Sequence, residues 1–139
     1  MTTFGNNSGY VGYSMSKRAA RAKADGKFPK SEFKHEYGVS TKLFDILNKL
    51  HIVSATEWHH TSMYGNQTDF YEWRSEDDID TFESHKKELN ALVRRIKGEP
   101  KMKDYAATRE GMDQWEEDLK SYYDIRDAVF NQIESIFNH

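Results

Sequence analysis

Ile52–Arg74, IVSATEWHHTSMYGNQTDFYEWR, decides the fold class. Two runs of β-branched and aromatic residues flank Gly65–Gln67, the pattern of a β-hairpin. Strand alternation places Trp58, His60, Ser62 and Tyr64 on one face and Glu57, His59 and Thr61 on the other. Phe70 and Tyr71 also point opposite ways, so neither face of the hairpin is wholly polar. One face is expected to meet helices. The other is a candidate ligand surface or subunit contact. Gly9–Met15, short and rich in aromatic and β-branched residues, is a candidate third strand.

On the N-terminal side of the hairpin the pattern is helical. Lys27–Gly38 reads as a turn and one short helix, with Pro29 at or before its first turn and Gly38 as its stop. Phe28, Phe33 and Tyr37 are its inward candidates. Ser40 or Thr41 then caps a helix over Lys42–His51, whose Leu43, Phe44, Ile46, Leu47 and Leu50 make a continuous apolar stripe.

On the C-terminal side, Ser75 and the acids after it open a helix running through Lys97, with Ile79, Phe82, Leu89, Leu92, Val93 and Ile96 on one stripe. Gly98 and Pro100 end it, and Lys101–Ala107 is a polar connection. Thr108 or Arg109 opens a last helix reaching about Phe137. Its apolar positions, Trp115, Leu119, Tyr122, Val129, Ile133 and Ile136, keep a 4-3 rhythm, with Arg126 where an apolar residue is due. Two such helices joined by a short connection form an antiparallel hairpin. The fold class expected is therefore α+β: a small antiparallel sheet with short helices, then a C-terminal antiparallel helical hairpin. One domain over 1–139 is expected, with 1–8 loose, a strand–helix–hairpin part at 9–74 and a helical part at 75–139. The last helix outruns its partner, and its surplus must pack on the sheet or on another subunit, which favours a homo-oligomer.

Composition narrows the function. The net charge is −3, but residues 1–50 carry +5 and residues 51–139 carry −8. A general nucleic-acid binder is usually basic overall, so that class is disfavoured, and an anion site at the N-terminal end of an acidic body fits better. The absence of cysteine removes disulfides, thiol catalysis and Cys-zinc sites. No apolar run approaches the length of about 20 residues that a membrane span needs, and no signal peptide is expected. A cytoplasmic location is the expectation.

The candidate anion site is Gly9–Gly26, GYVGYSMSKRAARAKADG. Ser14 and Ser16 are hydroxyl caps for a helix over Lys17–Ala24, rich in Ala, Lys and Arg. Helix N-termini offer free amides and a positive dipole end to phosphate, with Lys17, Arg18 and Arg21 close by. Neither a P-loop nor a dinucleotide fingerprint is present. The competing reading is an ordinary strand–helix connection with a solvated basic face. Tyr10 and Tyr13 suit stacking on a base, or simple strand packing. Arg18 and Arg21, three apart, suit two phosphate oxygens or an acidic partner surface.

Other constellations are weaker. His59 and His60 are adjacent on a strand and so point to opposite faces, which argues against a shared metal ion. Trp58, His59 or His60 is a candidate contact to a nucleobase or phosphate. Glu76, Asp77, Asp78 and Asp80 read as a solvated helix start, and Glu116, Glu117 and Asp118 as a solvated helix face. No serine sits in an elbow motif, so nucleophilic catalysis has little support.

Tyr10–Ser31, YVGYSMSKRAARAKADGKFPKS, and Glu57–Trp73, EWHHTSMYGNQTDFYEW, resemble a family of short bacteriophage proteins, the Thoeris anti-defence sponges. The resemblance covers about residues 9–74 and rests on no catalytic motif. It implies a protein without catalysis that binds the cyclic ADP-ribose isomer made by the defence system's TIR enzyme in the host cytoplasm. It also implies symmetric oligomers, some of which hold cyclic oligonucleotides at a separate site.

The reading that results is sequestration of a small anionic nucleotide, with no cofactor and no metal. Gly12, Ser14, Ser16, Lys17, Arg18 and Arg21 would hold phosphate, and Tyr13, Trp58 and His60 would contact base or ribose. The alternative is a phage inhibitor of a host defence protein, of the anti-CRISPR type, acting through its acidic helices. A hydrolase of a small nucleotide is a third class.

Overall fold

The computed structural model describes residues 20–138 except 62, 64 and 66, and gives the backbone alone for Trp58 and His60. Contacts divide the chain into two compact units, Met1–Glu76 and Asp77–His139.

In the first unit, residues 20–24 are helical (α1). The helix ends in a Schellman turn. The Lys27 amide donates to the Ala22 carbonyl at 2.9 Å and the Gly26 amide to the Lys23 carbonyl at 3.0 Å. Gly26 takes φ +81°, a left-handed conformation that costs glycine nothing. Beyond it lie β1 (Phe28–Pro29), α2 (Lys30–Tyr37), α3 (Thr41–Lys49), β2 (Val53–Thr61) and β3 (Gln67–Trp73). The fold is α+β, as the sequence indicates. Among the described residues the sheet has three antiparallel strands in the order β1-β3-β2.

The third strand is thus Phe28–Pro29, which pairs with Tyr71 and Phe70 on β3. The candidate at Gly9–Met15 lies outside the described residues. Proline is tolerated in β1 because, among the described residues, this is an edge strand, where a missing amide breaks no ladder. Pro29 also stands at the N-cap of α2, and Gly38 ends that helix in the left-handed region. Ser40 is the cap of α3: the Leu43 amide donates to its Oγ at 3.3 Å.

The helix α3 stops at Lys49 rather than at His51. His51 has φ +61°, and it closes a second Schellman turn, with the Ile52 amide donating to the Leu47 carbonyl at 2.9 Å and the His51 amide to Asn48 at 3.2 Å. A β-carbon in that region costs about 1–2 kcal/mol. The next two residues, Ile52 and Val53, are fully buried, so the turn delivers β2 straight into the core.

That core is aromatic. Phe33 is wholly buried, and its ring centroid lies 4.8 Å from Tyr37, 5.4 Å from Phe44 and 5.4 Å from Trp73. Phe44 in turn meets Tyr71 edge-on at 5.0 Å. Tyr71 and Trp73 share one face of β3, so this is the face that meets α2 and α3. Burial, with a smaller push from Glu36, raises the Tyr37 phenol above its ordinary value.

The second unit begins within the first turn of α4 (Glu76–Ser84), continues through α5 (Lys86–Arg94) and a single 3-10 turn at Met102–Asp104, and ends in α6 (Arg109–Phe137). Where the periodicity reads one helix, the structure has two. His85, at φ −114° and ψ 19°, breaks them apart. The amide ladder still crosses the break, His85 to Thr81 at 3.0 Å and Leu89 to His85 at 2.9 Å, so the apolar stripe runs on and hides it. Phe82, Leu89 and Val93 are buried. The acids at this helix start are not all solvated: Asp78 is 3% exposed. It stands three residues after Ser75, the spacing at which a carboxylate turns back toward a helix start.

The two helical arms run in opposite directions. The Arg95 guanidinium donates to Gln132, while further along the Trp115 indole donates to the Pro100 carbonyl. On α6, Val129, Ile133 and Phe137 are buried, whereas Trp115, Leu119 and Tyr122 are only half-buried. Arg126 occupies its apolar place by lying over two rings, 4.7 Å from the Tyr123 centroid and 5.4 Å from Phe130. Among the described residues no helix is long and apolar enough to cross a membrane.

Candidate functional site

Of the nine residues assigned from sequence to a nucleotide site, Gly12, Tyr13, Ser14, Ser16, Lys17 and Arg18 lie outside the described residues. Arg21 is described: it is helical and exposed on α1. Its neighbour Ala22 is buried, so α1 is seated by one face and presents Arg21 on another. The helix is fixed at its C-terminal end. Lys23 pairs with Glu32 of α2 at 2.7 Å, and Lys27 pairs with Glu72 of β3 at 3.8 Å.

Trp58 and His60 lie on β2. His60 stands opposite Thr68, and Trp58 sits in a bulge: the ladder passes from Ala55–Tyr71 to His59–Asp69, so residues 56–58 of β2 face residue 70 alone. The unbroken alternation expected through Glu57 therefore fails at this point, and becomes regular again from His59. Glu57, His59 and Thr61 are all exposed. The His59 Nδ1 lies 3.2 Å from the Glu57 carbonyl oxygen, a local contact within the strand. Among the described residues no group of three His, Asp or Glu side chains converges to hold a metal ion.

A second feature lies wholly in the C-terminal unit. The connection between α5 and α6 folds back along α6 and leaves a cleft of about 590 Å³. Lys97, Lys101, Tyr105, Asp118, Tyr122 and Ile125 are among the residues that line it. The Tyr105 hydroxyl donates to Asp118 at 2.6 Å, and the Gln114 amide donates to the other carboxylate oxygen at 2.8 Å. These two hydrogen bonds hold the Asp118 carboxyl below its ordinary range, Tyr105 contributing more. The same bond raises the Tyr105 phenol. With Glu99 and Asp104 also lining it, the cleft sets three carboxylates against two ammonium groups, and neither sign of ligand is favoured.

The polar connection read from sequence is thus a strap. Its approach to α6 is close enough to require glycine: a Cβ on Gly111 would stand 2.1 Å from the Ala106 carbonyl oxygen. The one sequence signal for it is a lone Tyr105 in a polar linker, with Asp118 and Tyr122 one helical turn apart beyond it.

No protein family matches this chain, and no curated protein or solved structure matches it either.

Proposed function

We propose that this protein sequesters a small anionic nucleotide without catalysis, in the manner of the phage anti-defence sponges its first half resembles. One observation carries the reading. The helix bearing Arg21, with its closing turn, is joined through Lys27 alone to β1, and β1 is hydrogen-bonded to β3 of the hairpin that bears Trp58 and His60. A basic helix and an aromatic hairpin in one unit are what a phosphate and a base together require. The ligand would be a cyclic ADP-ribose isomer or a cyclic oligonucleotide, met in the host cytoplasm by a homo-oligomer.

Native mass spectrometry with a panel of these nucleotides tests the reading. Uptake of intact ligand in a fixed ratio to subunits is expected, and recovery of a cleaved ligand or of none overturns it. In a folded Arg18→Ala, Arg21→Ala double variant, affinity should fall at least tenfold, the scale of a lost charge-assisted contact of about 1.5–3 kcal/mol. Unchanged affinity would move the site elsewhere.

One feature favours the second reading, an inhibitor that docks on a basic host surface. The helix α6 carries eight acids against three basic residues, and every acid but Asp118 is exposed. Recovery of a stoichiometric host protein, with no nucleotide bound, would select it.

A further inference from the structure

The second unit is buried at one end only. Phe82, Leu89 and Val93 are buried before the strap, and Val129, Ile133 and Phe137 near the end of α6. From residue 94 to residue 128, all of them described, none is buried. Met102 and Ile125 are 51% and 42% exposed. The N-terminal half of α6 therefore has no fully buried face: its inward stripe, with Trp115, Leu119 and Tyr122, is only half-covered, and helical stability in proteins comes mostly from such packing.

A short set of polar tethers holds this region. The Tyr105 hydroxyl reaches Asp118 at 2.6 Å, the Trp115 indole N–H reaches the Pro100 carbonyl at 3.2 Å, and the Gly111 amide donates to the Thr108 hydroxyl at 3.0 Å. All three lie within residues 100–118, and none reaches the buried end. Local stability follows buried apolar contact, and regions held by exposed hydrogen bonds open first.

We infer that residues 98–122 are a latched strap-and-helix segment that opens as one unit while the rest of the chain stays folded, with Tyr105–Asp118 as its catch. Opening dismantles the 590 Å³ cleft, whose lining lies within this segment except for Lys97 and Ile125, and it exposes the half-buried rings of Trp115 and Tyr122.

Hydrogen exchange of the full-length protein, followed by mass spectrometry, is the test. Amides of 110–122 should exchange at least about tenfold faster than those of 130–137, although both belong to one helix. Tyr105→Phe, which removes only the hydroxyl, should speed exchange a further several-fold within 98–122 and leave 130–137 unchanged. Asp118→Asn keeps the shape and should act the same way more weakly. Uniform protection along α6 overturns the proposal, as does a Tyr105→Phe effect spread evenly over the chain. Should either variant fail to fold, the gradient in the unaltered protein still decides.

Discussion

The hairpin unit and the strap region of the second unit solve the same problem with different means. In the first, stability comes from rings: Phe33, Phe44 and Trp73 are buried and touch one another or share neighbours, and the polar residues are left to caps and turns. In the second, between Val93 and Val129, rings are present but only half-covered, and hydrogen bonds from Tyr105 and Trp115 tie the connection to its helix. Apolar burial is non-directional and grows with the area removed from water, whereas a polar tether is worth only about 0.5–1.5 kcal/mol net and depends on alignment. The difference separates a region that melts with its whole unit from one that opens alone.

Breaking the first side of that contrast gives the largest effect. Phe33→Ala should cost about 3–5 kcal/mol in urea-induced unfolding, because a wholly buried ring is removed from the middle of the cluster. A loss below about 1 kcal/mol would mean that the cluster is not the source of stability, and the contrast with the strap would fail.

Next in size is Gly111→Ala. The added methyl group meets the Ala106 backbone, so the strap must lift or the helix start must shift, at about 1–3 kcal/mol. The comparison says this cost stays local. Exchange should rise across 98–122, with the hairpin amides unchanged, and a uniform rise would contradict it.

His51→Gly works in the opposite direction. It relieves a left-handed β-carbon at the end of α3 and should stabilise the first unit by about 0.5–1 kcal/mol, after the added freedom of the unfolded chain is subtracted. Thermal or urea midpoints would read it. No gain would place a compensating contact on the His51 side chain.

The smallest effect concerns pH. The Tyr105 phenol is raised in the folded state, chiefly by its bond to Asp118. A raised group contributes its stability below the unfolded value and loses it as pH climbs through the folded one. Strap exchange, corrected for intrinsic rate, should thus converge between the unaltered protein and Tyr105→Phe at strongly alkaline pH, having differed near neutrality. Asp118, held low, has the reverse dependence and releases the catch only in acid.

The features legible in the sequence are those that depend on near neighbours. The stripe of Leu43, Phe44, Ile46 and Leu47, the Ser40 cap and the Gly38 stop are all set by residues a few positions apart, and each stands where the spacing puts it. The features that escape depend on distant pairing. Two residues, Phe28 and Pro29, are too few to show alternation, and they become a strand only because β3 lies alongside. The bulge at 56–58 adds residues without altering their β character, and the break at His85 leaves the 3.6-residue stripe intact. The same reason covers the sites. Arg21 is accessible to helix-pattern reasoning, while the union of Tyr105 with Asp118 joins a linker to a helix thirteen residues on, and no local period encodes it.

The bulge in β2 has a consequence for anyone shortening or grafting this hairpin. Between Ala55 and His59 the strand advances four positions while β3 advances two. A bulge absorbs its extra residues locally, so the pairing beyond it does not depend on strict alternation through it. Excising one residue from 56–58 would leave an ordinary bulge of two residues against one, and excising two would return a plain ladder. The hairpin can therefore be trimmed at this point without disturbing the pairing of His59 with Asp69 and Thr61 with Gln67, which cross-strand amide contacts in a deletion series would display.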